Sequence, residues 1–526
     1  MNALLHDPIF RVKLASHTSA TSLSLAEVCE AVWTQPIVSF EGLRTHQRQA
    51  WASFLSQLMV MALDRAGKGV QEAASLDASA WRALLLSLSD GEESAWNLVE
   101  PDVSKPAFMQ SPIPEGSLDD AKYKDPYTTP DELDMLVTSK NHDLKRQLMH
   151  KPELDQWIYA LITLQTMEGF LGRGNYGITR MNGGFANRPK VGYTSALDWS
   201  SRQRRDVEIL FTQRHDRSVE MYRKGKFTCL WLVPWDGEMQ VGLFECDPHF
   251  IEICRRLRFA HDAADDRLIV WRSNTKAARV DMPSDLKGVT QDPWAPVKHE
   301  KHDSKVLTVD KKGYPYDLVR QLIYPVEEYS APFAMNLTRE ERDKKVLYFV
   351  GEALARGQGG TDGLHERIIP VPVRKTGLMA LRGKFRQRVE EQSEEDGAEE
   401  LRKLATRARQ RADLAGKIRS KALYPALKSL TDKDVDRWTN AYTHAVDACF
   451  FTELFGQDAS TTQEEMSLDA SWQKTLYTLA SAQLEKAIEE LPLSNSRRWQ
   501  QISQATNILK GSARKHLTAY FQQEPS

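Results

Sequence analysis

Between Leu164 and Pro189 the chain carries six glycines (Gly169, Gly172, Gly174, Gly177, Gly183, Gly184), interleaved with Arg173, Arg180, Arg188, Asn175, Asn182 and Asn187 and with the rings of Phe170, Tyr176 and Phe185. Glycine admits positive φ and close approach of another backbone, while arginine, asparagine and aromatic side chains supply charge, amide hydrogen bonds and stacking. Such a loop suits a phosphate backbone or a groove floor; the plainer alternative is an ordered surface loop whose glycines make turns. It is neither a P-loop, since no G-K-[ST] is present, nor a dinucleotide-binding turn, since no Val/Ile-rich strand leads into it. A second Gly-rich stretch, Ala355 to Arg367, sets Gln358 between Gly357, Gly359 and Gly360. A glutamine held out on a glycine turn is poorly placed for a core and well placed to probe a duplex.

Other residues raise enzymatic chemistry. Histidine–aspartate dipeptides recur (His6-Asp7, His142-Asp143, His215-Asp216, His261-Asp262, His302-Asp303), as a metal-dependent phosphohydrolase or nuclease would need. Most fall in polar, loop-like sequence without further ligands on packed helices. His299 and His302 are three apart and lack the H-E-x-x-H spacing of a zinc helix. Cys246 and Cys254 have no C-x-x-C partner. No G-x-S-x-G, Walker or Cys/His nucleophile pattern stands out, so no catalytic residue, metal or other cofactor is expected. An RNA-binding scaffold is disfavoured by the lack of aromatic RNA-reading strands.

The elements that must hold these loops follow from periodicity. A strand is expected over Ile9–Leu14, a serine-capped helix over Ser24–Val32 and a helix over Leu43–Arg65, whose basic start (Arg44, His46, Arg48) reads as a solvated end. Thr129-Pro130-Asp131-Glu132 should start a helix running to Val137, followed by the donor-rich segment Ser139, Lys140, Asn141, His142. A helix over Glu153–Met167 delivers the chain into the first glycine loop. Thr338 and Glu341, with Val346, Phe349, Val350, Ala353 and Leu354 beyond, fit a capped amphipathic helix from Thr338 to Ala355, which would put Gln358 at the tip of a turn. Arg202, Arg204 and Arg205 read as a wet face. Phe227–Pro234 and Met239–Phe244 fit an antiparallel pair joined by Trp235-Asp236-Gly237-Glu238, with further strands over Arg267–Arg272 and Lys305–Val309.

After Pro372 glycine and proline become sparse and helix formers dominate. Helices are expected over Gly377–Gln392, Ala398–Leu423, Lys433–Leu454, Ser467–Glu490 and Ser494–Phe521, and short connections between them imply a bundle. In the second, Leu401, Leu404, Ala405, Ala408, Ala412, Ala415 and Ile418 form the inner face. Arg402, Lys403, Arg407, Arg409, Arg411, Lys417, Arg419 and Lys421 lie mostly outside it.

The bulk numbers agree with a multidomain globular chain. At 526 residues it is too long for one ordinary core. Its 70 basic and 72 acidic side chains nearly balance, so any grip on nucleic acid must come from local patches or shape. Five scattered cysteines suit a reducing compartment, the N-terminus lacks a basic region before an apolar core, and no apolar run reaches the ~20 residues of a membrane span.

The two glycine loops, with Leu43–Trp51 (LRTHQRQAW) and Asp134–Lys145 (DMLVTSKNHDLK), resemble the CasA family, the large subunit of the type I-E CRISPR surveillance complex Cascade. The likeness covers most of residues 1–373 and, more loosely, the helical remainder. It implies an α+β fold: a large mixed N-terminal PAM-recognition domain with small antiparallel sheets and helices (1–373), then a C-terminal α-helical (four-helix) bundle (374–526). It also implies a non-enzymatic, cytoplasmic protein that reads the PAM of double-stranded target DNA from the minor groove and opens the duplex. Partners would be the other Cascade subunits, the guide crRNA and a helicase-nuclease effector. Carried onto this chain, the family roles give Gly172, Arg173, Gly174 and Asn175 as the PAM glycine loop and Lys287 as the PAM-contacting lysine. Gln358, Gly359 and Gly360 become the wedge, and Ser139, Lys140, Asn141 and His142 a loop touching DNA and the complex. Some family members hold zinc on a cysteine cluster; this chain departs from that pattern.

Overall fold

The computed structural model describes residues 2–134, 149, 151–170, 172–177, 188–216, 225–324, 328–357, 360–373, 391–456, 462–492 and 497–523. Its contacts divide the chain into two compact units, Met1–Tyr314 with Glu327–Pro370, and Pro315–Val326 with Val371–Ser526. The fold is α+β, with small, mostly antiparallel sheets and helices in the first unit and helices in the second.

The first unit opens with β1 (Phe10–Leu14) between β2 (Thr21–Leu23) and, after α1 (Leu25–Thr34), the edge strand β3 (Ile37–Phe40). Phe10, Val12 and Leu14 face the core, as alternation requires. Ser24 caps α1 through a reciprocal box with Glu27. The next helix, α2 (Arg48–Arg65), is buried nearly all round and forms the centre of the unit. Its Trp51 stacks on Phe10 at 5.3 Å and meets Tyr159 edge-on at 5.2 Å. The residues leading into α2 differ from expectation. His46 is buried with Nε2 2.8 Å from Asp134, and Arg44 pairs with Asp131 and Asp134. This lock replaces the solvated end at Arg44 and His46, because the two carboxylates are themselves buried and need cationic partners, while Arg48 is exposed as expected.

Beyond α3 (Ala78–Ser87) and β4 (Lys124–Tyr127), the helix expected from Thr129 opens with a 3₁₀ turn, Pro130–Glu132, and its expected last residues, 135–137, lie outside the described residues. Next come α4 (Leu154–Met167), β5 (Lys190–Thr194), α5 (Trp199–Arg214) and β6 (Phe227–Cys229). The antiparallel pair expected around Trp235-Asp236-Gly237-Glu238 does not form. Instead β6 runs parallel to β8 (Cys246–Ile251), and β7 (Val241–Gly242) runs parallel to β11 (Val280–Asp281). Leu230–Leu232 turn as a 3₁₀ helix because Trp231 is buried and donates to the Ala95 carbonyl, and Arg279 takes the carbonyls of Val233 and Met239. Between these pairs, β9 (Arg256–Asp262) and β10 (Arg267–Ser273) form a hairpin, with β4 on the far side of β10.

A small sheet of β12 (Val297–His299), β13 (Ser304–Val306) and β14 (Tyr329–Ser330) follows, with α6 (Tyr316–Ile323) between the last two. The helix expected over Thr338–Ala355 is overturned. The Thr338/Glu341 capping box is real but opens only the 3₁₀ turn Glu340–Asp343. From Val346 the chain is a strand, β15 (Val346–Gly357), hairpinned to β16 (Gly360–Pro372), with β15 central between β16 and β5. Leu347, Phe349, Val350, Ala353, Leu354 and Ala355 are all buried, and burial on both faces erases the alternation that would have identified a strand.

The second unit holds α6 and the helices α7 (Glu391–Lys417), α8 (Tyr424–Leu430), α9 (Val435–Phe455), α10 (Thr462–Glu490), α11 (Arg498–His516) and α12 (Thr518–Gln523). A π-helical turn, Ile418–Leu423, joins α7 to α8, and Pro425 lies in the first turn of α8, where its missing N–H is tolerated. Arg402, Lys403, Arg409, Lys417, Arg419 and Lys421 are exposed, as expected. Arg411 is not: it is buried, stacks over Trp472 and donates to the Glu453 carbonyl, and burial pulls its guanidinium below the usual range. No helix among the described residues is long and apolar enough to cross a membrane.

Candidate nucleic-acid interface

The first glycine loop is built from the end of α4. Buried Gln165 accepts the N–H groups of Cys254 and Arg255 and donates to the carbonyls of Met109 and Arg255, sewing α4 to the start of β9. Arg255 then clamps the loop's base: it donates to the Gly169 carbonyl at 2.8 Å and pairs with Glu168 at 3.3 Å. A Cβ on Gly177 would lie 2.5 Å from the same guanidinium and 2.8 Å from the Glu168 carbonyl oxygen, so only glycine fits there. Gly172 and Gly174 adopt φ of +97° and +86°, and the Asn175 N–H closes a turn on the Gly172 carbonyl at 3.0 Å. Thr275, just past β10, fixes the outgoing arm: its hydroxyl accepts from the Tyr176 N–H and donates to the Tyr176 carbonyl, while its own N–H binds the Gly174 carbonyl at 2.9 Å. The described part of the loop is therefore held before any ligand arrives, with Arg173 exposed on its turn.

Residues 178–187, with Arg180, Asn182 and Asn187, lie outside the described residues. Arg188, one of the cations counted in the loop, is buried. It pairs with Asp292 at 2.7 Å and Glu252 at 3.6 Å, sits over Trp294, and its carbonyl accepts from Gln49. It anchors the loop's exit, from which β5 follows directly.

Through β5 the loop is coupled to the second Gly-rich stretch. β5 pairs with β15 from Thr194 opposite Tyr348 to Lys190 opposite Glu352, and β15 continues five residues further to Gly357. At about 3.3 Å per residue, the hairpin end reaches roughly 16 Å beyond the last pairing with β5. Gly360 opens β16; Gln358 and Gly359 lie outside the described residues. The arginines expected as a wet face bind other elements instead, and Arg202 among them reaches this sheet. Arg202 pairs with Glu352 at 2.7 Å, Arg204 donates to the Val32 carbonyl, and buried Arg205 binds Glu341 and the carbonyls of Ala334 and Asn336. Carbonyl and carboxylate acceptors on other elements draw these guanidiniums inward.

Lys287 lies after the 3₁₀ turn Ser284–Leu286 with φ of +45°; its ammonium pairs with Asp303 and its carbonyl accepts from Val306. Its contacts belong to the β12–β13 hairpin. Among the described residues a lysine beside the glycine loop is Lys276, next to Thr275, 77% exposed and paired with Glu238. Sequence reasoning passed over Lys276, Arg255 and Thr275, because the signal joining them to the loop is tertiary, spanning about a hundred residues of chain. Ser139, Lys140, Asn141 and His142 lie outside the described residues.

The His-Asp dipeptides are dispersed: His6 contacts Arg82, His215 pairs with Asp64, His261 with Asp266, and Asp303 with Lys287. Among the described residues no group of three His, Cys, Asp or Glu side chains could hold a metal ion. The His142-Asp143 pair lies outside them.

No protein-family model matches the sequence, and no curated protein matches it. Solved structures do match in shape. CasA of Thermus thermophilus superposes with a TM-score of 0.60 at 13% identity, over 98% of this chain and 99% of that one. Cse1 of Thermobifida fusca gives 0.63 at 12% identity, over 98% of each chain. A chain of a CRISPR RNA-guided surveillance complex gives 0.59 at 12% identity, over 99% of each. At such identities the likeness shows the fold.

Proposed function

We propose that this chain, which has the CasA/Cse1 fold over nearly its whole length, is the large subunit of a type I-E Cascade complex and reads the PAM of double-stranded target DNA. The observation that carries this reading is a preformed glycine turn at Gly172–Asn175 with Arg173 exposed on it, and, beyond β5, a long strand that runs out to Gly357. Gly172, Arg173, Gly174 and Asn175 would follow the minor-groove floor, whose degenerate acceptor pattern tolerates related PAMs. Lys276, from its place beside the loop, or Lys287, would donate to base or phosphate acceptors. Gln358, Gly359 and Gly360 would hold the first base pair apart at a cost of roughly a few kcal/mol, offset by guide pairing. Ser139, Lys140, Asn141 and His142 would contact DNA and the complex. The subunit breaks no bond; other Cascade subunits and crRNA hold the guide, and a helicase-nuclease lands on it. In this reading residues 1–373 recognise the PAM and 374–526 form the accompanying bundle.

The test is supercoiled-plasmid binding by the complex reassembled with its guide. Gln358→Ala should reduce strand opening, followed by permanganate footprinting, more than it reduces PAM-dependent capture. Equal loss of both would contradict the wedge.

A further inference from the structure

We propose that Asn274 is a second base-reading residue, acting beside the glycine loop to set which PAM bases are accepted; this rests on the PAM-reading function above. Asn274 lies between two pinned neighbours. Ser273 ends the β10 ladder opposite Arg256 and donates to the Ala121 carbonyl, and Thr275 makes three hydrogen bonds to Gly174 and Tyr176. The backbone is thus fixed on both sides of a side chain that is exposed and, among the described residues, makes no hydrogen bond.

That side chain packs on the loop itself. Its Cγ, Oδ1 and Nδ2 lie 3.1, 3.3 and 3.4 Å from where a Cβ on Gly174 would stand. A duplex seated on Gly172–Asn175 would therefore meet the Asn274 amide in the same contact. An amide offers two donors and an acceptor. In the minor groove A·T pairs present only acceptors, whereas G·C adds the guanine N2 amino donor, so an amide that turns its oxygen to the groove favours G·C at that position. Arg173, by contrast, carries charge that strengthens binding to any sequence.

The test uses the reassembled complex and a panel of short duplexes varied at each PAM position, including inosine for guanine to delete the N2 amino group. Asn274→Ala should change the preference ratio at one PAM position on the order of tenfold, and inosine at that position should reproduce the change in the unaltered complex. Asn274→Asp, which only accepts, should keep binding where guanine is present and lose it where A·T stands. Arg173→Ala should weaken all duplexes alike and flatten the salt dependence. Ratios within about twofold of the unaltered complex at every position for both Asn274 variants, with PAM preference otherwise intact, would overturn the role of Asn274 alone. An unaltered complex that does not prefer PAM duplexes would remove the function reading and this one together. Since Asn274 is exposed, both variants should unfold at the parent's temperature, which the same preparations report.

Discussion

Tyr123 shows how burial of a single phenol becomes a pH dependence. It is buried against Arg256, and burial pushes it up to about 12 although Arg256 and Arg258 pull the other way. Its folded value lies above its unfolded value near 10, so its contribution is present below about pH 10 and lost as pH rises through about 12. Arg279 works in the opposite sense, since burial lowers it to about 10 and the unfolded guanidinium keeps its proton longer. We therefore expect denaturant-measured stability of Tyr123→Phe to fall by on the order of 2 kcal/mol less than the parent's between about pH 10 and 12; parallel curves would refute the assignment. Glu238 bears on binding instead. It holds the exposed Lys276 ammonium in an ion pair beside the loop. Glu238→Gln should raise duplex affinity several-fold and steepen the salt dependence by about 0.9 in log–log slope, as one more cation becomes available to phosphate. An unchanged slope in a salt titration would place Lys276 away from DNA.

At the level of elements, the β15–β16 hairpin is a lever rooted in the core. Leu354 belongs to the main hydrophobic cluster, and Leu364 of β16 packs against that cluster. Arg202 and Glu352 tie the same root to α5. Leu354→Ala should lower stability by about 2–5 kcal/mol, read as a shifted denaturant midpoint at unchanged slope, whereas exposed Glu366→Ala should change it by less than about 0.5 kcal/mol. If Leu354→Ala is as mild as Glu366→Ala, the hairpin is not anchored there. The glycine loop follows the same logic: its anchors Gln165, Arg255 and Thr275 come from a helix and from the two ends of the β9–β10 hairpin, so its shape belongs to those elements more than to its own glycines.

At the scale of the molecule, the two units interleave along the sequence, because α6 belongs with the C-terminal helices. Tyr316 of α6 lies 4.7 Å from Phe450, its N–H binds Asp447, and Val319, Leu322 and Ile323 are buried. A chain cut after Val373 keeps α6 but loses α7 and α9, against which it packs. That fragment should bind a hydrophobic dye and self-associate in gel filtration, and polar replacement of Val319 and Leu322 should reverse both. A monodisperse, dye-silent fragment would show α6 to be indifferent to the bundle.

Read alone, the residues were enough for whatever is decided within a few positions of chain. The Ser24–Glu27 box and α1, the alternation of β1, the long helices after Ala398 and the glycine turn at Gly172–Asn175 each depend on caps, period or φ, and these are local. The family resemblance added candidate roles that no local pattern contains. Tertiary structure decided what depends on distant partners. Val346–Ala355 became a strand because both its faces found a core. Arg202, Arg204, Arg205 and Arg188 turned inward because carboxylates and carbonyls from other elements met them there. Thr275 and Asn274 reached the loop because the β9–β10 hairpin folds back beside α4. Local propensities are worth tenths of a kcal/mol per residue, whereas buried contacts and satisfied charges are worth several, so wherever the two conflicted the long-range term prevailed.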